Sequence, residues 1–373
     1  MKADPVNAIV SKTDPVYHMI YRITRHRPIL AALLLSLALG LPMVLAALWE
    51  GGFVSSALRM DMAHDLGLWV SLAVVPIFLL YSRSLYNRFP MTLEGLFANR
   101  VITTDELNFR SAITRWYELL GSRALTVIIY SIFLGVFLIQ TEQGHLNRNN
   151  AWAWPDTWHS LTPSAFLSFP VFALSLYLAV QLAMRLALIC FFIVRVCTVF
   201  TIRVYILHPD RSGGLAPLGK LAMHLNLLVL ISSLIVVATL YNQVFLFKQS
   251  IYAPLQLVTI LGHFLFSALI VFTPMIAAHR KMTKARDAFL GMLSVKFLRE
   301  DQDFRSALES EASIDIGNVQ RLNAIKTFFD TAKTQPVWPF NMKVIYTFFG
   351  SVIWPLVFSI LKDYVAKVLY LFK

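Results

Sequence analysis

Six apolar runs, and a seventh near the end of the chain, approach or exceed the length that a helix needs to cross a lipid bilayer. No other feature restricts the fold so strongly. The runs occupy residues 29–49, 66–82, 124–140, 164–206, 222–247 and 255–278, with the last from about 340 to 361. A hydrocarbon core about 30 Å thick takes about 20 residues of helix. Inside it, every backbone N–H and C=O must find its partner within the segment, so apolar runs of this length imply helices. The expected fold is therefore all-α: a polytopic α-helical membrane protein with about seven transmembrane helices and a cytoplasmic helical layer. Only 14% of the residues are charged, against roughly 25% in soluble domains, which excludes a string of soluble domains.

The formal charge of +12 raises the question of nucleic acid, and its distribution gives another answer. Lys2, Lys12, Arg22, Arg25 and Arg27 precede the first run, and only Arg59 follows it. Residues 83–123 hold six arginines, residues 141–163 only Arg148. The next connection has Arg203, Arg211 and Lys220, the one after it Lys248 alone. Alternate connections are basic, the signature of membrane topology with the N-terminus in the cytoplasm. No nucleic-acid partner is expected; the lipid bilayer is. The first run begins about 28 residues in and is longer than a signal-peptide core, so it is read as an uncleaved span.

The chain divides into a cytoplasmic N-terminal segment (1–28), a six-span region (29–278) with a cytoplasmic helical loop (83–123), a cytoplasmic helical segment (279–336) and a C-terminal membrane segment (337–373). That last piece reads either as one kinked span or as two half-helices broken near Trp354 and Pro355. Residues 164–206 would make about 64 Å of helix, twice what a bilayer requires. No Gly or Pro interrupts residues 171–206, so a single helix protruding into the cytoplasm is expected. The sixth run likewise passes without a break after Pro274 into basic sequence. Apolar positions at helical spacing over 91–119 and 316–332 complete the layer.

One polar stretch stands out, "HPDRSGGL" at 208–215. Pro209-Asp210 favours turn initiation and Gly213-Gly214 supplies positive φ, so one reading is a compact turn between helices. The other is a ligand site: N–H groups around Gly213 and Gly214, with Arg211 beside them, would cradle an anion, and His208 and Asp210 would relay a proton. Protease, chaperone and nucleotide-loop motifs do not fit the context.

His208, Pro209, Asp210, Gly213, Gly214 and Leu215 resemble the HPDxxGGL cytoplasmic loop of an uncharacterised group of bacterial polytopic inner-membrane proteins. The "WPFN" at 338–341 joins that resemblance, which implies a bacterial inner membrane and no activity. In architecture alone, the chain also resembles the insect chemoreceptor channels, tetramers with a pore lined by the last helix. No shared motif carries residues across.

No Asp or Glu falls in the middle of an apolar run, which weakens proton-coupled transport. Gln181, His224, Asn226, Asn242, Gln243 and His263 read as helix–helix glue. Arg185, Arg195 and Arg203 lack voltage-sensor spacing and suit lipid phosphates or cytoplasmic carboxylates. Arg280, Lys281, Lys284 and Arg286 cluster just inside the sixth span, as a contact with anionic phospholipids would. Trp152, Trp154 and Trp158 suit interfacial anchoring. Cys190 and Cys197 read as core residues, and neither metal nor cofactor is implied. Three functions fit: a homo-oligomeric channel or facilitator, a sensor or scaffold acting through its cytoplasmic helices, or a lipid-processing enzyme using the HPDRSGG loop.

Overall fold

A computed structural model describes residues 5–350 apart from 25–26, 55–60, 104–105, 148–161, 207, 211, 242–253, 310–315 and 340–344, and beyond 350 only 353 and 357. The described chain is helical: α1 (Pro5–Thr13), α2 (Pro15–Thr24), α3 (Pro28–Trp49), α4 (Leu66–Ala98), α5 (Glu106–Leu120), α6 (Arg123–Asn147), α7 (Pro163–Val199), α8 (Ala216–Tyr241), α9 (Pro254–Glu309) and α10 (Ile316–Thr334). Six of its helical stretches are long and apolar enough to cross a membrane, in α3, α4, α6, α7, α8 and α9. The protein is thus an all-α polytopic membrane protein. Most of the seventh run, the three tryptophans of 150–159, Asn242 and Gln243 lie outside the described residues.

Helix starts follow local chemistry. Asp65 caps α4 by accepting from the Leu68 N–H at 3.1 Å. Thr162 caps α7 from the Ala165 N–H at 3.2 Å, with Pro163 in the first turn where its missing N–H costs nothing. Glu50, at the end of α3, also accepts from the Ser164 N–H at 3.0 Å and from its hydroxyl. Glu50 therefore ties the end of α3 to the start of α7.

Around the central helix α7 pack α3, α4, α6 and α9, while α8 packs on α4 and α9. Tyr86, Phe89, Phe192 and Arg185 are among the largest side chains fully buried in this centre. Polar side chains join helices here. Gln181 donates to the Tyr86 hydroxyl at 2.9 Å, and Ser233 and His263 lie 3.0 Å apart between α8 and α9. Tyr81 stacks on His224 with ring centroids 4.5 Å apart and donates to the His224 carbonyl.

The long run from 164 does form one helix, but it ends at Val199 rather than near 206. Phe200 turns into extended backbone, and Ile202 pairs with Ile102 in an antiparallel bridge. Arg203 N–H donates to the Val101 carbonyl at 2.8 Å and Thr103 N–H to that of Thr201 at 3.2 Å. The β-branched residues Val199, Thr201, Ile202 and Val204 favour this conformation. The bridge ties the α4–α5 connection to the α7–α8 connection.

Helix α9 is continuous for 56 residues, about 84 Å. Its distal half pairs with α10 in a hairpin that projects from the same side as α1, α2 and the α7–α8 loop. This side, rich in Lys and Arg, is called the basic side below.

Candidate functional site

The loop between α7 and α8 is built around Asp210. One carboxylate oxygen accepts from the N–H groups of Ser212 (2.9 Å) and Gly214 (3.1 Å), and the other from Ala216 (3.3 Å), the first residue of α8. His208 Nδ1 lies 2.8 Å from the same carboxylate. Burial alone would raise the Asp210 pKa. The N–H donors and His208 outweigh it and hold the carboxyl below its usual range. The cradle at Gly213 and Gly214 is thus filled by the loop's own side chain, and His208 has a structural partner there. Arg211 lies outside the described residues.

Both glycines are needed. Gly213 and Gly214 have φ of +64° and +89°, a region that L side chains rarely enter. A Cβ on Gly214 would sit 2.5 Å from Val101 Cγ2, and one on Gly213 would meet Val204 Cγ1. Asn99, at the end of α4, donates to the Gly214 carbonyl at 2.9 Å. The loop is a clasp against the end of α4, and on its other side Val204 and Gly213 face Met282 and Arg286 of α9.

A second cluster lies deeper. Arg185 stands 22 residues after Pro163, about 33 Å along α7, which is near the basic-side edge of the hydrocarbon core. It is fully buried and lies 3.3 Å from Asp14, itself fully buried between α1 and α2. Arg185 Nε donates to the Leu120 carbonyl at 3.2 Å. Asp14 caps α2 through the Tyr17 N–H at 3.1 Å and accepts from the hydroxyls of Tyr177 (2.5 Å) and Tyr130 (3.3 Å). The guanidinium also lies over the Tyr17 ring, 6.0 Å from its centroid. One carboxylate therefore joins the N-terminal helices to α6 and α7. Among the sequence candidates, Arg185 found a carboxylate, whereas Arg195 and Arg203 are exposed.

Asp14 was not among the candidate residues. Its signal is Thr13-Asp14-Pro15, a capping residue followed by proline at the first helical position, ahead of Val16, Tyr17 and Ile20. That pattern announces a helix start and says nothing of what the carboxylate's free oxygen meets.

The four basic residues beyond the sixth span divide into two pairs. Arg280 and Lys284 are exposed on one face of α9 and line a common cleft. Lys281 is half-buried, and Arg286 pairs with Asp287 at 3.2 Å. Next to them, His279 stacks on Trp338 with centroids 4.0 Å apart and lies 3.0 Å from the Val337 carbonyl. Among the described residues, no group of His, Cys, Asp and Glu has the geometry to hold a metal ion.

Comparison with protein families, with curated proteins and with solved structures finds no match. The functional reading rests on the geometry of the chain itself.

Proposed function

We propose that the protein is a homo-oligomeric membrane scaffold whose copies assemble through the α9–α10 hairpin. One observation carries this reading. Val295 lies about 60 Å along α9 from Pro254, beyond the 40–45 Å of a whole bilayer, yet it is 61% exposed. Met292 and Leu298, a turn to either side, are exposed as well, as are Val319 and Phe328 on α10. Apolar residues so far from lipid are covered by protein.

A second copy is the partner the charges favour. From 296 to 309, α9 carries Lys296, Arg299 and Arg305 against Glu300, Asp301, Asp303 and Glu309. Helix α10 carries Arg321, Lys326 and Lys333 against Asp330. This last stretch of α9 is net negative and α10 net positive, although α9 as a whole is net positive. Copies held in one membrane present their hairpins at one height, so α9 of one copy meets α10 of the next with complementary sign.

The scaffold reading keeps the bacterial inner membrane that the resemblance of residues 208–215 implies, and the alternation of Lys and Arg along the chain supports a basic side in the cytoplasm. A channel or facilitator would need its path between copies, since Arg185, Tyr86, Phe89 and Phe192 fill the centre of the single chain. Disulfide cross-linking of a Val295→Cys variant in native membranes tests the assembly. The expected result is a cross-linked species of at least two chains under mild oxidation, absent for Lys296→Cys, which is exposed about 100° round the helix from Val295. Equal cross-linking at the two positions would count against it.

A further inference from the structure

On α9, just past the membrane, His279, Arg280, Thr283, Lys284, Asp287 and Ala288 line an open cleft of about 550 Å³. Its depth follows from the helix. From Leu257 to Ala278 the helix is apolar for about 32 Å, the thickness of the hydrocarbon core. The residues that follow therefore sit at the level of the lipid headgroups.

Arg280 and Lys284, one turn apart, are exposed and form no ion pair among the described residues. The acid of the cleft, Asp287, is already engaged by Arg286. Trp338, stacked on His279, adds an aromatic side chain of the kind that concentrates at the headgroup level.

We propose that this cleft binds the phosphate group of an anionic phospholipid. Arg280 and Lys284 supply the charge, and the depth favours a headgroup over a free phosphate, whose chemistry is the same. The site does not depend on assembly through the hairpin, whose exposed apolar residues lie farther out on α9 and on α10.

The test is lipid binding to the purified full-length protein in neutral detergent, followed by native mass spectrometry with phosphatidylglycerol and with phosphatidylcholine. Phosphatidylglycerol is expected to be preferred, and Arg280→Gln and Lys284→Gln each to lower the preference roughly fivefold. Arg299→Gln, the same loss of charge beyond the headgroup layer, is expected to leave it intact. If the double variant fails to fold, Lys284→Gln alone carries the test. The proposal is overturned if the wild type shows no headgroup preference, or if the preference survives loss of both cations. It is also overturned if Arg299→Gln removes the preference equally, or if millimolar inorganic phosphate displaces the lipid.

Discussion

The carboxylate of Asp14 and the guanidinium of Arg185 meet at 3.3 Å with both side chains fully buried, across 171 positions of chain. The contact makes α1 and α2 part of the bundle rather than a loose leader. It also joins the N-terminal helices to the central helix α7 at the edge of the membrane, where an unpaired charge is costly.

Removing one partner leaves the other charge buried and uncompensated, a loss of about 3–5 kcal/mol, whereas replacing both with apolar residues is close to neutral. Arg185→Met alone should lower thermal stability in detergent and open α1 and α2 to protease. Adding Asp14→Asn to it, which removes the unpaired charge but keeps an acceptor for the Tyr17 N–H and the tyrosine hydroxyls, should restore part of the loss. A double variant no more stable than either single variant would contradict the pairing.

Two kinds of glycine predict opposite outcomes. Alanine at Gly213 or Gly214 must adopt positive φ against Val204 or Val101, and should destabilise by about 1–2 kcal/mol or more. Gly291 lies inside α9 with nothing within 4 Å of an added Cβ, so Gly291→Ala should stabilise by up to about 1 kcal/mol. Unfolding midpoints of the three variants in one detergent decide the matter.

The loop also has a pH dependence with a definite sign. The folded Asp210 carboxyl titrates below its unfolded value, so its contribution is present above the ordinary carboxylate range and is lost as pH falls through the lowered value. Protease susceptibility of the α7–α8 connection should rise on acidification in the wild type. In Asp210→Asn it should already be raised at neutral pH and change little with acid.

Much of the fold was legible because a bilayer makes long apolar runs unambiguous. The absence of Gly and Pro after 171 pointed to one long helix for α7, and the unbroken sequence after Pro274 to one for α9. The end of α7 was not legible. Val199 to Val204 is apolar enough to continue a helix, and only the pairing of Ile202 with Ile102, supplied by a connection a hundred residues earlier, makes it extended. In the loop, the glycines announced a turn, but the direction of the Asp210 carboxylate, inward onto Ser212, Gly214 and Ala216, is a matter of three dimensions. Asp14 was hidden for the same reason: its burial depends on Tyr130, Tyr177 and Arg185, none of them near it in sequence.

The mass of the protein in lipid nanodiscs tests assembly through the hairpin most directly. The wild type is expected to contain two or more copies. Val295→Asp combined with Leu298→Asp, which charges the exposed apolar stripe of α9 beyond its membrane-spanning part, is expected to yield single copies of unchanged helical content. A wild type that is monomeric across lipid compositions, or a charged variant that keeps the wild-type mass, would contradict it.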